Sequence, residues 1–279
     1  MQTLTEIRTL LDRYGVQPKR RLGQNFLHDQ NLIRKLVAAA DIQPGECVLE
    51  VGPGTGALTD LLVERGADVI AVELDKGLAQ IITDRLGGRI TLVQGDCLQT
   101  GRRLSADVRA ALTNRSFKLI ANLPYQIASP LMTAVLTDDD VTCLGEYVTI
   151  QKEVADRLLA TPGTKQYGPL GIIVRSLANV ERLATLKPQS FWPNPKVTSA
   201  MVAITPKREH SLDDAKQFAR FMTDLFTKRR KQLGSIFGRE RDWPGGITPD
   251  LRPEALSIDQ LQALWRSMAR AASDDPPAP

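Results

Sequence analysis

Between about Asp41 and Ile150, five short apolar runs alternate with stretches of helical spacing, a pattern few folds accept. The runs are Cys47–Val51, Val69–Glu73, Ile90–Val93, Phe117–Ile120 and Tyr147–Ile150. Between them apolar residues recur three or four apart, as in Leu58, Leu61, Leu62 and Leu78, Ile81, Ile82. Near-continuous apolar strands need cover on both faces, so the pattern predicts successive βαβ units and an α/β fold with a mostly parallel sheet.

Past Gln151 a helical pattern through Val154, Leu158 and Leu159 breaks at Pro162-Gly163, and a second helix is expected from about Pro169 to Ala178. Strand-like runs at Glu181–Leu186 and Ser199–Ile204, joined by the proline-rich stretch Lys187–Lys196, predict an antiparallel pair at the sheet edge. Helices are expected at Leu212–Phe237 and Ser257–Ala271. The domain reading is therefore 1–206 as the α/β domain, 207–272 as a small helical domain, and 273–279 as a disordered acidic, proline-rich tail.

Composition excludes several classes. Cys47, Cys97 and Cys143 are far apart with no Cys-x-x-Cys, and the histidines are His28 and His210 alone. That inventory supports neither a disulfide framework nor a metal site. Glu6, Arg8, Asp12 and Arg13 interrupt any leader-like apolar segment, and no window approaches membrane-spanning length. A reducing, cytoplasmic setting is expected. The net charge of +4 permits a nucleic-acid partner, and the basic residues cluster at Lys19, Arg20, Arg21 and at Lys228, Arg229, Arg230, Lys231.

The first strand runs into Gly52-Pro53-Gly54-Thr55-Gly56-Ala57, a turn that lets a ligand approach the backbone at a helix N-terminus. Glu73, 21 residues after Gly52, ends the second strand where a ribose-binding acid belongs. This pairing fits a Rossmann-like site for either a nicotinamide dinucleotide or S-adenosylmethionine. Asp96 after the third strand suits an adenine amine, and Asn122-Leu123-Pro124-Tyr125 after the fourth lies at the ligand-binding edge of the sheet. A dehydrogenase has no use for that tetrad.

These stretches resemble the ribosomal RNA adenine dimethyltransferase family, and within it the bacterial small-subunit branch. The resemblance runs through Arg20–Leu27, Gly52–Gly56, Glu73–Asp75, Asn122–Tyr125, Gln151–Val154, Tyr167-Gly168, Phe191–Val197 and Arg229–Lys231, and covers nearly the whole chain. It implies a Rossmann-like methyltransferase domain in 1–206, opened by a basic, cofactor-covering segment. It implies S-adenosyl-L-methionine contacts at Asn25, Leu27, Gly52, Gly54, Glu73, Asp96 and Asn122, with the target adenine between Tyr125 and Phe191. The implied substrate is 16S rRNA in the assembling 30S subunit, where a monomer dimethylates N6 of two adjacent adenosines in the 3′-terminal hairpin loop. Gln126 and Trp192 depart from the family's usual residues and affect flanking contacts.

Adenine N6 is a poor nucleophile because its lone pair is delocalised into the ring. If the Asn122 side-chain carbonyl and the Leu123 backbone carbonyl accept its two N–H bonds, the nitrogen turns toward sp³ and presents that pair, while Pro124 fixes the backbone. Tyr125 and Phe191 replace the stacking a flipped base loses. Lys19, Arg20, Arg21, Arg229, Arg230 and Lys231, the latter three expected on a helix, are read as phosphate contacts flanking one active-site mouth. Two rivals stand beside this reading: a large-subunit adenine methyltransferase of the antibiotic-resistance type, and a non-catalytic RNA-binding assembly or transcription factor on the same fold. Gln151-Lys152-Glu153 and the helical C-terminus favour the small subunit, and the intact tetrad argues against the non-catalytic rival.

Overall fold

The computed structural model describes residues 2–100, 103–207 and 212–274. The chain forms two compact units. One holds the residues up to Ala155 together with Asn179–Pro206, and the other holds Asp156–Ala178 and the chain from Lys207 onward.

The first unit is built on a seven-stranded sheet. Its strands are β1 (Cys47–Val51), β2 (Asp68–Glu73), β3 (Thr91–Gln94), β4 (Ser116–Asn122), β5 (Thr142–Gln151), β6 (Ala178–Leu186) and β7 (Ser199–Pro206), in the order β3-β2-β1-β4-β5-β7-β6. β1 pairs in parallel with β2 and β4, β2 with β3, and β4 with β5. β7 runs antiparallel to β5, from Ser199 opposite Gln151 to Ile204 opposite Glu146, and with β6 it fills the edge positions expected of the last two strands.

All five residues of β1 are buried, as its apolar run requires. The helices of this unit are α1 (Leu4–Arg13), α2 (Gln30–Ala40), α3 (Ala57–Glu64), α4 (Lys76–Leu86), α5 (Ala106–Ala111) and α6 (Tyr125–Thr137). Ile33, Leu36, Val37, Leu58 and Leu62 from α2 and α3 bury against Val48, Val69 and Ile120 of the sheet. Side-chain caps start several helices: Asp29 accepts from the Asn31 and Leu32 N–H groups of α2, and Asp75 from those of Gly77 and Leu78 in α4. The strand order reverses between β1 and β4, which opens a crevice at their carboxyl ends.

The helix α7 (Lys152–Leu158) leads into the second unit, which contains α8 (Pro169–Leu177), α9 (Ala215–Thr227), α10 (Leu233–Phe237) and α11 (Ile258–Asp274). Residues 156–178, read from sequence as part of the α/β domain, belong with these helices. Buried Tyr167 explains the grouping, since its hydroxyl donates to the Leu256 carbonyl at 2.8 Å and its ring meets Phe226 edge-on at 6.2 Å. Phe218 and Trp265 form a second edge-on pair at 5.6 Å. The single helix expected over Leu212–Phe237 is two, because the chain turns at Lys228–Lys231 with N–H groups of Arg229 and Lys231 bonding back to Phe226 and Lys228. Arg229–Lys231 therefore lie in a turn and not on a helix. Residues 275–279 of the expected disordered tail, and His210, lie outside the described residues, while Ser273 and Asp274 close α11. Among the described residues no helix is long and apolar enough to cross a membrane, and no cluster of His, Cys, Asp or Glu could hold a metal ion.

Candidate active site

The crevice at the strand ends contains a pocket lined by Asn25, Leu27, Gly52, Gly54, Glu73, Asp96 and Asn122, the complete set of expected cofactor residues, and by Pro124. Gly52 and Gly54 have φ of +74° and +62°. A Cβ at Gly54 would stand 2.8 Å from the Phe26 ring, and one at Gly52 would stand 3.3 Å from Pro124. The loop thus needs glycine at both places, for backbone conformation and for close packing.

Glu73 is nearly buried at the end of β2, with its carboxylate accepting from the Asp75 N–H at 2.8 Å and the Gly54 N–H at 3.4 Å. Burial outweighs these bonds and pushes its pKa up to about 7. Glu50 of β1 lines the same pocket, and burial raises its pKa to about 8. One of its oxygens has no hydrogen-bond partner. The sequence reading passed over Glu50, although a carboxylate inside a wholly apolar run was its signal. Asp96 is exposed at the rim, with one oxygen accepting from the Leu98 N–H at 3.0 Å. Two buried acids and a rim carboxylate suit a ligand that brings hydroxyl and amine donors or positive charge.

Asn122 ends β4, and its amide nitrogen donates to the Asn25 carbonyl at 2.8 Å. Because a carbonyl can only accept, that bond fixes the amide with its oxygen as the remaining acceptor, the atom the lone-pair mechanism requires. The N–H of Leu123 donates to the Thr149 carbonyl at 3.1 Å, Pro124 caps α6, and the Tyr125 hydroxyl lies 2.8 Å from Ser199 Oγ. Tyr125 is half-buried.

Three expected site residues are differently employed. Phe191 has no exposed surface and packs in the core with Leu27, Ile33 and Met201, so it offers no ring face to a base. Lys19 is committed to an ion pair with buried Asp75 at 2.6 Å, and Gln24 braces the same segment by accepting from the Lys19 N–H and donating to Asp75. Arg229 is half-buried and held by Glu254 at 2.7 Å and by the Lys165 carbonyl. Arg20, Arg21, Arg230 and Lys231 are exposed and pair with no carboxylate among the described residues.

Residues 15–266 match the family model described as ribosomal RNA adenine dimethylase. Lactobacillus acidophilus Ribosomal RNA small subunit methyltransferase A is 38% identical over 279 residues, covering 94% of this chain and 95% of that protein. The Geobacter metallireducens protein of the same name is 36% identical, covering 91% and 96%. Among solved structures, a dimethyladenosine transferase from Plasmodium falciparum superposes with a TM-score of 0.71 at 24% identity, over 88% of this chain and 98% of that one, and shares the fold. With a family match over most of its length and relatives this similar from end to end, the chain belongs to the ribosomal RNA adenine dimethylase family.

Proposed function

We propose that this chain, working as a single subunit in the cytoplasm, dimethylates N6 of two adjacent adenosines in the 3′-terminal hairpin loop of 16S rRNA within the assembling 30S subunit. The relatives named for the small subunit, similar along nearly the whole chain, support that choice of substrate. The observation that carries the chemistry is the Asn122 amide, oriented by Asn25 beside the pocket that Glu73 and Asp96 line.

The donor group, S-adenosylmethionine, supplies an electrophilic methyl on a sulfonium sulfur. Glu73 accepts from ribose hydroxyls and Asp96 from the adenine amine, while Gly52 and Gly54 keep the loop backbone close to the ligand. At the target base the Asn122 oxygen and the Leu123 carbonyl accept the two N6 hydrogens and pull the lone pair out of conjugation. Tyr125 stacks on the flipped ring. No strong general base is needed, because the nitrogen loses its proton easily once alkylated, and water can take it. Arg20, Arg21, Arg230 and Lys231 contact phosphates and position the RNA without reading sequence.

Methylation of isolated small and large ribosomal subunits with labelled donor, followed by mass mapping, tests the proposal. Label on two neighbouring adenosines near the 3′ end of the small-subunit RNA is expected. Label on the large subunit alone, or on neither, would overturn it.

A further inference from the structure

Trp192 and Arg8 form a feature that no step above uses. Phe26 pairs with Trp192 across a two-residue antiparallel ladder, and the two rings stack with centroids 6.4 Å apart and planes 21° apart. From α1 the exposed Arg8 lays its guanidinium carbon 5.0 Å from the centre of the Trp192 ring. Arg8 pairs with no carboxylate among the described residues, so its charge is not neutralised. A guanidinium already held over the indole has lost much of its rotamer freedom, so a planar or anionic partner meets it at lower ordering cost.

The position of this pair ties it to the reaction. Phe26, beneath Trp192, is a wall of the pocket, and its chain neighbour Asn25 takes the bond from Asn122. Exposed Lys196 follows on the same proline-bounded loop. The platform therefore belongs to the segment that orients the tetrad. Unpaired bases stack on aromatic rings and arginine planes, whereas a duplex hides those base faces.

We propose that the Arg8–Trp192 platform binds an unpaired nucleotide flanking the target adenosine, with its base stacked against the guanidinium–indole pair. The proposal rests on the RNA-methylating reading given above and names a further subsite for that substrate.

Hairpin RNAs with two adjacent loop adenosines, and 2-aminopurine placed on either side of them, report stacking as quenched fluorescence. The wild-type chain is expected to quench one of the two probes. Trp192→Ala and Arg8→Ala are expected to lose the quenching and to weaken binding by roughly 5- to 150-fold. Trp192→Phe retains most of both. Arg8→Lys keeps the salt dependence but loses quenching, because an ammonium carries charge without a plane. Each variant is first checked for wild-type melting temperature and S-adenosylmethionine affinity. Should Trp192→Ala fail that check, Arg8→Ala decides alone, since Arg8 is exposed. Unchanged quenching and affinity in Arg8→Ala, or full quenching in Arg8→Lys, overturns the platform. Failure of the wild-type chain to methylate small subunits overturns the parent reading instead, and is scored separately.

Discussion

On the proposed reading, in which Glu73 holds the donor's ribose, burial of its carboxyl makes that binding depend on pH in a definite direction. Its carboxyl has a pKa of about 7 in the folded chain, against 4.5 for an ordinary glutamate, with burial as the main cause. A raised folded-state pKa means that the folded chain holds the proton more tightly than the unfolded one. The stabilisation is complete below about pH 4.5 and is lost as pH rises through 7, a difference on the order of 3 kcal/mol. Ribose hydroxyls donate to the ionised form, so below pH 7 binding must release a proton. Affinity should therefore tighten up to about tenfold per unit as pH rises, then level off above 7. Adenosine is the ligand of choice, because it carries the ribose but no group that titrates in this window. Calorimetry from about pH 5.5 to 8.5, in two buffers of different ionisation enthalpy, reads both affinity and proton release. In Glu73→Gln the free chain should gain melting temperature relative to wild type above pH 7, and adenosine affinity should become weak and flat across this window. Glu50 lines the same pocket and the Glu73 charge helps raise its pKa, so both proteins are compared in a Glu50→Gln background, where Glu73 is the acid left to titrate in the pocket near 7. Parallel melting profiles, or a pH-independent affinity in the wild-type chain, would refute the account of Glu73 as a buried acid that charges when ribose arrives.

Asn122→Ala should cut single-turnover methylation by about 100- to 1000-fold, the scale for losing one oriented polar group at a reacting centre, while RNA affinity stays within about threefold. Tyr125→Ala should lose about 1–3 kcal/mol of base stacking in kcat/KM, whereas Tyr125→Phe loses only its bond to Ser199, about 1 kcal/mol. Arg230→Glu with Lys231→Glu should weaken subunit binding and flatten its salt dependence, whereas Arg229→Ala should lower the unfolding free energy by about 1 kcal/mol or less through loss of the Glu254 pair, read by chemical denaturation. Lys19→Ala should raise the Kd for S-adenosylmethionine and leave the salt slope of RNA binding unchanged, because Lys19 holds Asp75 and not a phosphate.

The α/β architecture was legible because its signal is local. A short apolar run bounded by turn residues and followed by a helical pattern reads as an interior strand, and the runs at Cys47, Val69 and Phe117 became β1, β2 and β4 within two residues of their expected ends. The pocket was legible because glycines and strand-end acids are set by turn geometry a few residues away. What failed depended on distant partners. Nothing beside Arg229 in sequence announces Glu254, and nothing beside Lys19 announces Asp75, so both looked like free cations. Phe191 sits beside prolines that suggested an exposed loop, yet Leu27 pairs with it in a ladder that draws the ring inward. The grouping of 156–178 with the C-terminal helices rests on Tyr167 reaching Leu256, a contact 89 residues long in sequence.

The segment Lys19–Leu27 explains why so many of its residues carry the family resemblance at once. Lys19 and Gln24 bind Asp75, the cap of α4, two residues beyond Glu73. Asn25 holds the Asn122 amide through its carbonyl while its own side chain donates to Gly23 at 3.0 Å. Phe26 packs where a Cβ on Gly54 would collide, and Leu27 pairs with Phe191. One short stretch thus touches the turn just after Glu73, the glycine loop and the tetrad, three parts of the pocket edge that follow separate strands. Its sequence is constrained by all three contacts together, so a change at Gln24 or Asn25 should disturb donor binding and base positioning as a pair. A phosphate-contacting role for the whole segment would leave no reason for Gln24, Asn25 and Phe26 to face inward, and it is only Arg20 and Arg21, on the exposed turn, that are free to meet RNA.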